Sequence, residues 1–117
     1  MKKILVVDDD QDLLIVLKSF LEKDGYDVKV SISCEEGLQL FYSFQPDLVL
    51  LDINVGNEDG RAMCKKIKTQ SDYLHIPVIL ISANHDALKF YQDAYANSYV
   101  EKPFKLNHLR QVVEMHS

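Results

Sequence analysis

Short apolar runs, each too brief for a helix and each followed by residues that bear chemistry, most constrain what this chain can fold into. Ile4 to Val7, Leu48 to Leu51 and Val78 to Ile81 are uninterrupted hydrophobic stretches. A strand with one face in water alternates apolar and polar residues, whereas an unbroken run fits a strand covered on both faces, as in a parallel sheet. Between the runs lie helical patterns. Leu13, Leu14, Leu17, Phe20 and Leu21 recur at helical spacing before Gly25, which reads as a helix stop. Ser33-Cys34-Glu35-Glu36 is a capping-box pattern that opens a second helix, with Leu38, Phe41 and Phe44 on one face and Pro46 at its end. Asp59 is placed to cap a third helix carrying Met63 and Ile67, and a fourth falls between His85 and Ala96. After Pro103, a last helix carries Leu106, Leu109, Val112 and Val113 on one stripe. Tyr26 to Ile32 alternates weakly and reads as the second strand, and Tyr99-Val100 as a short fifth. Strict alternation of five strands and five helices, with right-handed crossovers, predicts an α/β doubly wound sheet with helices on both faces.

A length of 117 residues suits one compact domain over 1–117 and is too short for two. The net charge of −5 argues against direct binding to nucleic acid, since an acidic surface repels phosphate backbones. No apolar run approaches the roughly 18–20 residues needed to cross a bilayer. The N-terminal lysines suggest a secretory signal, but the apolar run after them stops at Val7 before three aspartates, and that reading fails. Cys34 and Cys64 have no metal spacing and read as reduced thiols, which fits a cytoplasmic location. His75, His85, His108 and His116 likewise have no metal spacing and read as surface residues.

In a doubly wound sheet, ligands bind beyond the carboxyl ends of the strands. Asp8, Asp9 and Asp10 follow the first strand, Asp52 the third, Ser82 ends the fourth, and Lys102 follows the fifth. Acidic groups, one hydroxyl and one lysine therefore converge at one end. Two carboxylates 4 Å apart repel by about 4 kcal/mol at an effective dielectric near 20. A divalent cation relieves this, and Mg²⁺ suits carboxylates, a backbone carbonyl and water. Asp8, Asp9 and Asp52 together balance one Mg²⁺ and Lys102 in formal charge. Such a site lets one carboxylate attack a phosphoryl group, and Ser82 could bond a phosphoryl oxygen. Asp10 reads as a helix N-cap rather than a ligand, and Glu58 and Asp59 as loop and capping residues.

The stretches KILVVDDD, PDLVLLDI followed by EDG, PVILISA and YVEKPF, in that order, resemble the receiver domain of bacterial two-component response regulators from end to end. The resemblance implies a flavodoxin-like five-stranded parallel sheet in the order 2-1-3-4-5. It implies Asp52 as phospho-acceptor, with Mg²⁺ (or Mn²⁺ in its place) held by Asp8, Asp9, Asp52 and the backbone carbonyl of Asn54. Ser82 and Tyr99 would be the switch pair, Lys102 the partner of the acyl phosphate, and the Lys102–Pro103 bond cis. Asn54 and Asn84, each two residues beyond Asp52 and Ser82, would flank the path of the hydrolytic water and tune the phosphoryl lifetime. The phosphodonor would be a sensor histidine kinase or phosphotransfer protein. The fourth helix, fifth strand and fifth helix would present the output face, also a candidate homodimer face, to a downstream protein or an output domain. The last helix leaves no room for a DNA-binding unit within these residues.

Three positions depart from the family pattern. Gly56 stands where proline is common, which suggests a more mobile loop. The chain is shorter by about two residues between Ser82 and Lys102, with the shortening expected at the start of the fourth helix. Tyr95 stands where glycine commonly precedes the fifth strand. Two other readings compete. A small Mg²⁺-dependent phosphatase or phosphotransferase with an aspartyl nucleophile usually has D-x-D after its first strand and a cap insertion, and neither occurs here. A degenerate receiver that only binds partners conflicts with the full set of acidic, hydroxyl and lysine groups. The chain is thus expected to be a phospho-acceptor module rather than an enzyme.

Overall fold

The computed structural model describes residues 1–117. Five parallel strands form one sheet: β1 (Lys3–Val7), β2 (Asp27–Ser31), β3 (Leu48–Asp52), β4 (Val78–Ser82) and β5 (Ser98–Glu101). Their order is β2-β1-β3-β4-β5, the flavodoxin-like 2-1-3-4-5 arrangement. The helices are α1 (Gln11–Lys23), α2 (Cys34–Phe44), α3 (Gly60–Lys68), α4 (His85–Lys89) and α5 (Leu106–His116).

Alternation along the buried strands sends successive side chains to opposite faces. Leu5, Val7, Val49, Leu51, Val78 and Leu80 pack with Phe41, Met63, Cys64, Ile67 and Leu88 from α2, α3 and α4. Ile4, Val6, Leu48, Leu50, Ile79 and Ile81 pack on the other face with Leu14, Leu17, Leu21, Leu109, Val112 and Val113 from α1 and α5. Each fully buried aliphatic side chain contributes about 1.5–3 kcal/mol. An exposed pair such as Lys18–Glu22 contributes about 0–1 kcal/mol, so the two apolar layers dominate stability.

Capping begins the helices where the sequence places it. The side chains of Asp10, Ser33, Asp59 and Asn84 accept from the N–H groups of Leu13, Glu36, Arg61 and Ala87. Only half of the expected capping box forms, because the Ser33 N–H donates to Ser31 Oγ and not to Glu36.

Two segments differ from the sequence reading. Residues after Asp52 form a small antiparallel hairpin, with Asn54 opposite Asp59 and Val55 opposite Glu58. Its two-residue tip is Gly56-Asn57, and of these Gly56 alone has positive φ, at 59°. Positive φ at the first central position marks a type II′ turn, which favours glycine there and fits the strand twist. Proline, with φ near −65°, cannot occupy that conformation.

The second difference is α4. It starts at His85 on the Asn84 cap and ends early, at Lys89, and a 3₁₀ turn over Tyr91–Ala94 completes the segment. That turn closes on Tyr95, held at φ 64° and ψ 21°. The left-handed conformation crowds a Cβ against the following carbonyl and costs roughly 1–2 kcal/mol in a non-glycine residue. Tyr95→Gly is therefore expected to raise the unfolding free energy by about 1 kcal/mol. Urea denaturation checks this, and an unchanged or lower midpoint would count against strain at Tyr95.

Candidate functional site at the strand ends

Backbone pairing brings the site residues to one edge of the sheet. The Asp8 N–H donates to the Ser31 carbonyl at 3.0 Å, which fixes the chain just past β1. Asp52 is the last residue of β3 and pairs in register with Ile81, so Ser82 lies one step beyond it on β4. The Lys102 N–H donates to the Ser82 carbonyl at 2.9 Å, which ties the base of the lysine to β4. The Lys102–Pro103 peptide is cis.

Asp8, Asp52 and Ser82 are buried, with 1%, 5% and 0% of their surface exposed. Lys102 Nζ donates to Asp8 Oδ2 and to Asp52 Oδ2, both at 2.8 Å. The second oxygens are also engaged. Asp8 Oδ1 accepts from the Asp10 N–H at 2.9 Å, and Asp52 Oδ1 from the Asn54 N–H at 3.1 Å. Asp9 is exposed, and its Oδ2 accepts from the Gly56 N–H at 3.1 Å. One oxygen from each of Asp8, Asp9 and Asp52 lies within 4.8 Å of the others.

Burial is the main reason the Asp8 carboxyl lies above the usual carboxylate range. Hydrogen bonds from Lys102 and Asp10 oppose it, and the nearby Asp52 charge adds to it. Burial works against the Lys102 ammonium, but hydrogen bonds to Asp52 and Asp8 outweigh it and hold the amine above the ordinary lysine range. The lysine thus stays charged and bridges two carboxylates. One ammonium does not balance three, and the donor set of hard carboxylate oxygens fits a small divalent cation.

The remaining candidates lie around this cluster. Ser82 Oγ accepts from the Asn84 N–H at 3.0 Å, which leaves its own O–H free to donate. Asn54 and Asn84 are exposed at the rim, and Asn84 Oδ1 is committed to the α4 cap. Tyr99 stands apart on β5, 40% exposed, with its ring centroid 5.1 Å from that of Tyr91. The Cys34 and Cys64 thiols are free and buried, and burial pushes them up to about 11 and about 12, so both are protonated and inert at neutral pH. None of the four histidines is buried.

Residues 4–114 match the family model of the response regulator receiver domain. The chain belongs to the response regulator receiver domain family. It is 31% identical to the receiver domain of NtrX from Brucella abortus, over 97% of this chain and 96% of that one, with a TM-score of 0.87. In a longer Brucella abortus NtrX chain the matched part is 27% of the whole. A two-component response regulator from Clostridium difficile is 28% identical over 99% of this chain and 95% of that one, with a TM-score of 0.89. The BeF3-activated N-terminal receiver domain of Klebsiella pneumoniae RstA is 25% identical over 98% and 97%, with a TM-score of 0.88. No helix of this receiver is long and apolar enough to cross a membrane.

Sequence reasoning passed over two residues that shape this receiver's site. Glu58, read as a loop residue, sits in the hairpin and accepts the Cys34 and Glu35 N–H groups of α2 at 2.8 and 3.2 Å. Gly60, noted only within EDG, presses on the end of β3 at Asp52. A Cβ on Gly60 would lie 1.9 Å from the Asp52 carbonyl oxygen, and its N–H donates to the Ile53 carbonyl at 2.7 Å. The contact is with backbone, so no side-chain rotation relieves it. Gly60→Ala is expected to cost about 1–3 kcal/mol of stability and to shift Asp52 relative to Lys102. Chemical denaturation with amide chemical-shift mapping checks both; wild-type stability with unmoved Asp52 and Lys102 signals would refute it.

Proposed function

We propose that this receiver, as one domain over residues 1–117, accepts a phosphoryl group on Asp52 from a sensor histidine kinase or phosphotransfer protein. The observation that carries the reading is the Lys102 ammonium 2.8 Å from one oxygen of Asp8 and one of Asp52, beside the third carboxylate of Asp9. An oxygen of Asp52 forms a bond to phosphorus as the bond from phosphorus to the donor imidazole nitrogen breaks. The imidazole leaves with the bonding pair and takes a proton from solvent. Lys102 sits where it can follow the transferred negative charge from the carboxylate to the phosphoryl oxygens. Ser82 has a free O–H to donate to the same group.

Asp8, Asp9, Asp52 and the Asn54 carbonyl would hold Mg²⁺, and Mn²⁺ takes the same oxygen ligands. When bound, the ion neutralises charge on the transferring oxygens. The chain's own residues then act as acceptor, counter-charge and hydrogen-bond donor. It is a switch module rather than an enzyme.

An apolar groove of about 480 Å³ beside Lys102, lined by Leu13, Val16, Pro103, Phe104 and Leu106, gives a phosphodonor a surface next to the acceptor. Readout would run from Ser82 to Tyr99 and the α4-β5-α5 face. That face would meet a downstream protein, an output domain or a second copy of the chain; the longer NtrX chain provides a precedent for an attached domain. The acidic balance of −5 disfavours direct nucleic-acid contact, and the free thiols fit the cytoplasm.

Incubation with Mg²⁺ and acetyl phosphate is expected to add one phosphoryl group by intact mass, and none in Asp52→Asn. Continued turnover of many phosphate esters would favour an aspartyl phosphatase, and no adduct or beryllofluoride response a binding-only receiver. Mg²⁺ at a hundredfold excess over its Kd should raise stability by about 2.7 kcal/mol, a gain that Asp9→Asn reduces at the same concentration. Thermal unfolding with and without EDTA measures it, and identical curves would oppose metal binding. Asn84→Tyr should lengthen the phosphoryl lifetime by shielding the acceptor, at a cost of about 1 kcal/mol for the lost α4 cap. An unchanged decay rate would remove Asn84 from the hydrolytic path.

A further inference from the structure

We infer that the hairpin after Asp52 is a positioning element for the metal-binding carboxylates, and that Glu58, which bonds to none of them, supports divalent-cation affinity through it. This rests on the Mg²⁺ site proposed above. Asp9 is the exposed member of the trio, and a long-range tether is what an exposed carboxylate lacks. Its side chain has one hydrogen bond within the protein, from the Gly56 N–H at 3.1 Å. That donor is at the hairpin tip, forty-seven residues away in sequence. Whether the bond can hold Asp9 in place depends on whether the tip is itself held.

Three anchors hold it. Val55, next to the tip, is 1% exposed and belongs to the apolar layer under α2 and α3. Glu58, opposite Val55, accepts two N–H groups from the first turn of α2, where the charge also meets the positive end of the helix. Asp59 accepts from Arg61 N–H and caps α3. The tip between these anchors needs the positive φ that Gly56 supplies. No atom lies within 4 Å of a Cβ built on Gly56, so backbone conformation, and not space, is what calls for glycine.

The consequence is chemical. One oxygen of Asp9 is tied to the tip, and the carboxylate keeps free lone pairs for a cation. The metal then meets three carboxylates already within 4.8 Å of one another, and no longer has to gather the exposed one. Ordering one free side chain costs enough to change affinity by about 3–10-fold. Asp9 and Gly56 are the positioned group and its direct donor. Glu58 is the positioning residue at one remove.

A double-mutant cycle read by calorimetric titration of the unphosphorylated protein with Mg²⁺ tests this. Glu58→Ala should weaken Mg²⁺ binding about 3–10-fold. Glu58→Gln, which keeps an acceptor oxygen for α2, should stay within about twofold of wild type. In an Asp9→Ala background, Glu58→Ala should add no further loss, because the path runs through the Asp9 side chain. Circular dichroism confirms that each variant is folded. If Glu58→Ala unfolds the chain, amide exchange of Gly56 replaces it. Protection of that amide in wild type and its loss in Asp9→Ala, which removes the acceptor, support the tether, and equal exchange in the two overturns it. Equal Mg²⁺ affinity in wild type and Glu58→Ala, or an equal loss with and without the Asp9 carboxylate, overturns this inference alone. A wild-type chain that takes up no Mg²⁺ overturns both the inference and the metal site beneath it.

Discussion

A buried charge imbalance organises this receiver. Asp8 and Asp52 have nearly all of their surface removed from water, and a single ammonium, Lys102, lies between them. A buried carboxylate without a partner is costly enough that it would take up a proton instead. Here Lys102 and the Asp10 and Asn54 N–H groups occupy both oxygens of each carboxylate. That satisfies the hydrogen bonds while leaving the sum of charges negative. The site is therefore stable enough to fold and still attractive to a cation.

The geometry that makes this work is distributed over distant parts of the chain. Asp8 comes from β1, Asp52 from β3, and Lys102 from the turn after β5, tied by its own N–H to Ser82 at the end of β4. The parallel sheet is what brings them together, because every β-strand delivers its carboxyl end to the same edge. The apolar layers on each face keep the strands in register. A change in those layers would act on the site without touching it. Gly60 shows the same dependence at short range: its missing side chain lets α3 start directly against the Asp52 backbone.

Most of the fold was legible because it depends on pattern. Unbroken runs such as Leu48–Leu51 and helical stripes such as Leu14, Leu17 and Leu21 declare themselves by period and burial, and both sit in the core. The carboxylates and Lys102 were legible because they follow strands. Contacts made by backbone groups were not. The Gly56 N–H on Asp9 and the Glu58 carboxylate on α2 depend on a turn only two residues long. The signal for it lies in Gly-Asn between Val55 and Glu58, a hairpin dipeptide, which is weak beside the long apolar runs. The early end of the helix after Ser82 was not legible for a related reason. Asn84 supplies a cap at the start, whereas the early stop after Lys89 has no proline or glycine to announce it.

That early stop separates two kinds of structure within one domain. The site edge is held by short charged hydrogen bonds and by backbone contacts that leave little freedom. The segment next to it is α4, five residues long, followed by a 3₁₀ turn that ends on a strained Tyr95. A helix of one and a half turns has too few internal hydrogen bonds to persist alone, so its packing holds it. Leu88 is its one buried residue. In the turn that follows, Ala94 is buried and Tyr91, half-buried against the core, leans on Tyr99, while exposed His85 Nδ1 lies 2.8 Å from Glu101 Oε2, so the segment also rests on β5. Local opening free energy is lowest where buried contacts are fewest. A closely tied Asp52 edge beside a short α4 suits the phosphorylation switch proposed above: a phosphoryl group on Asp52 would place new charge next to an element with one buried residue of its own.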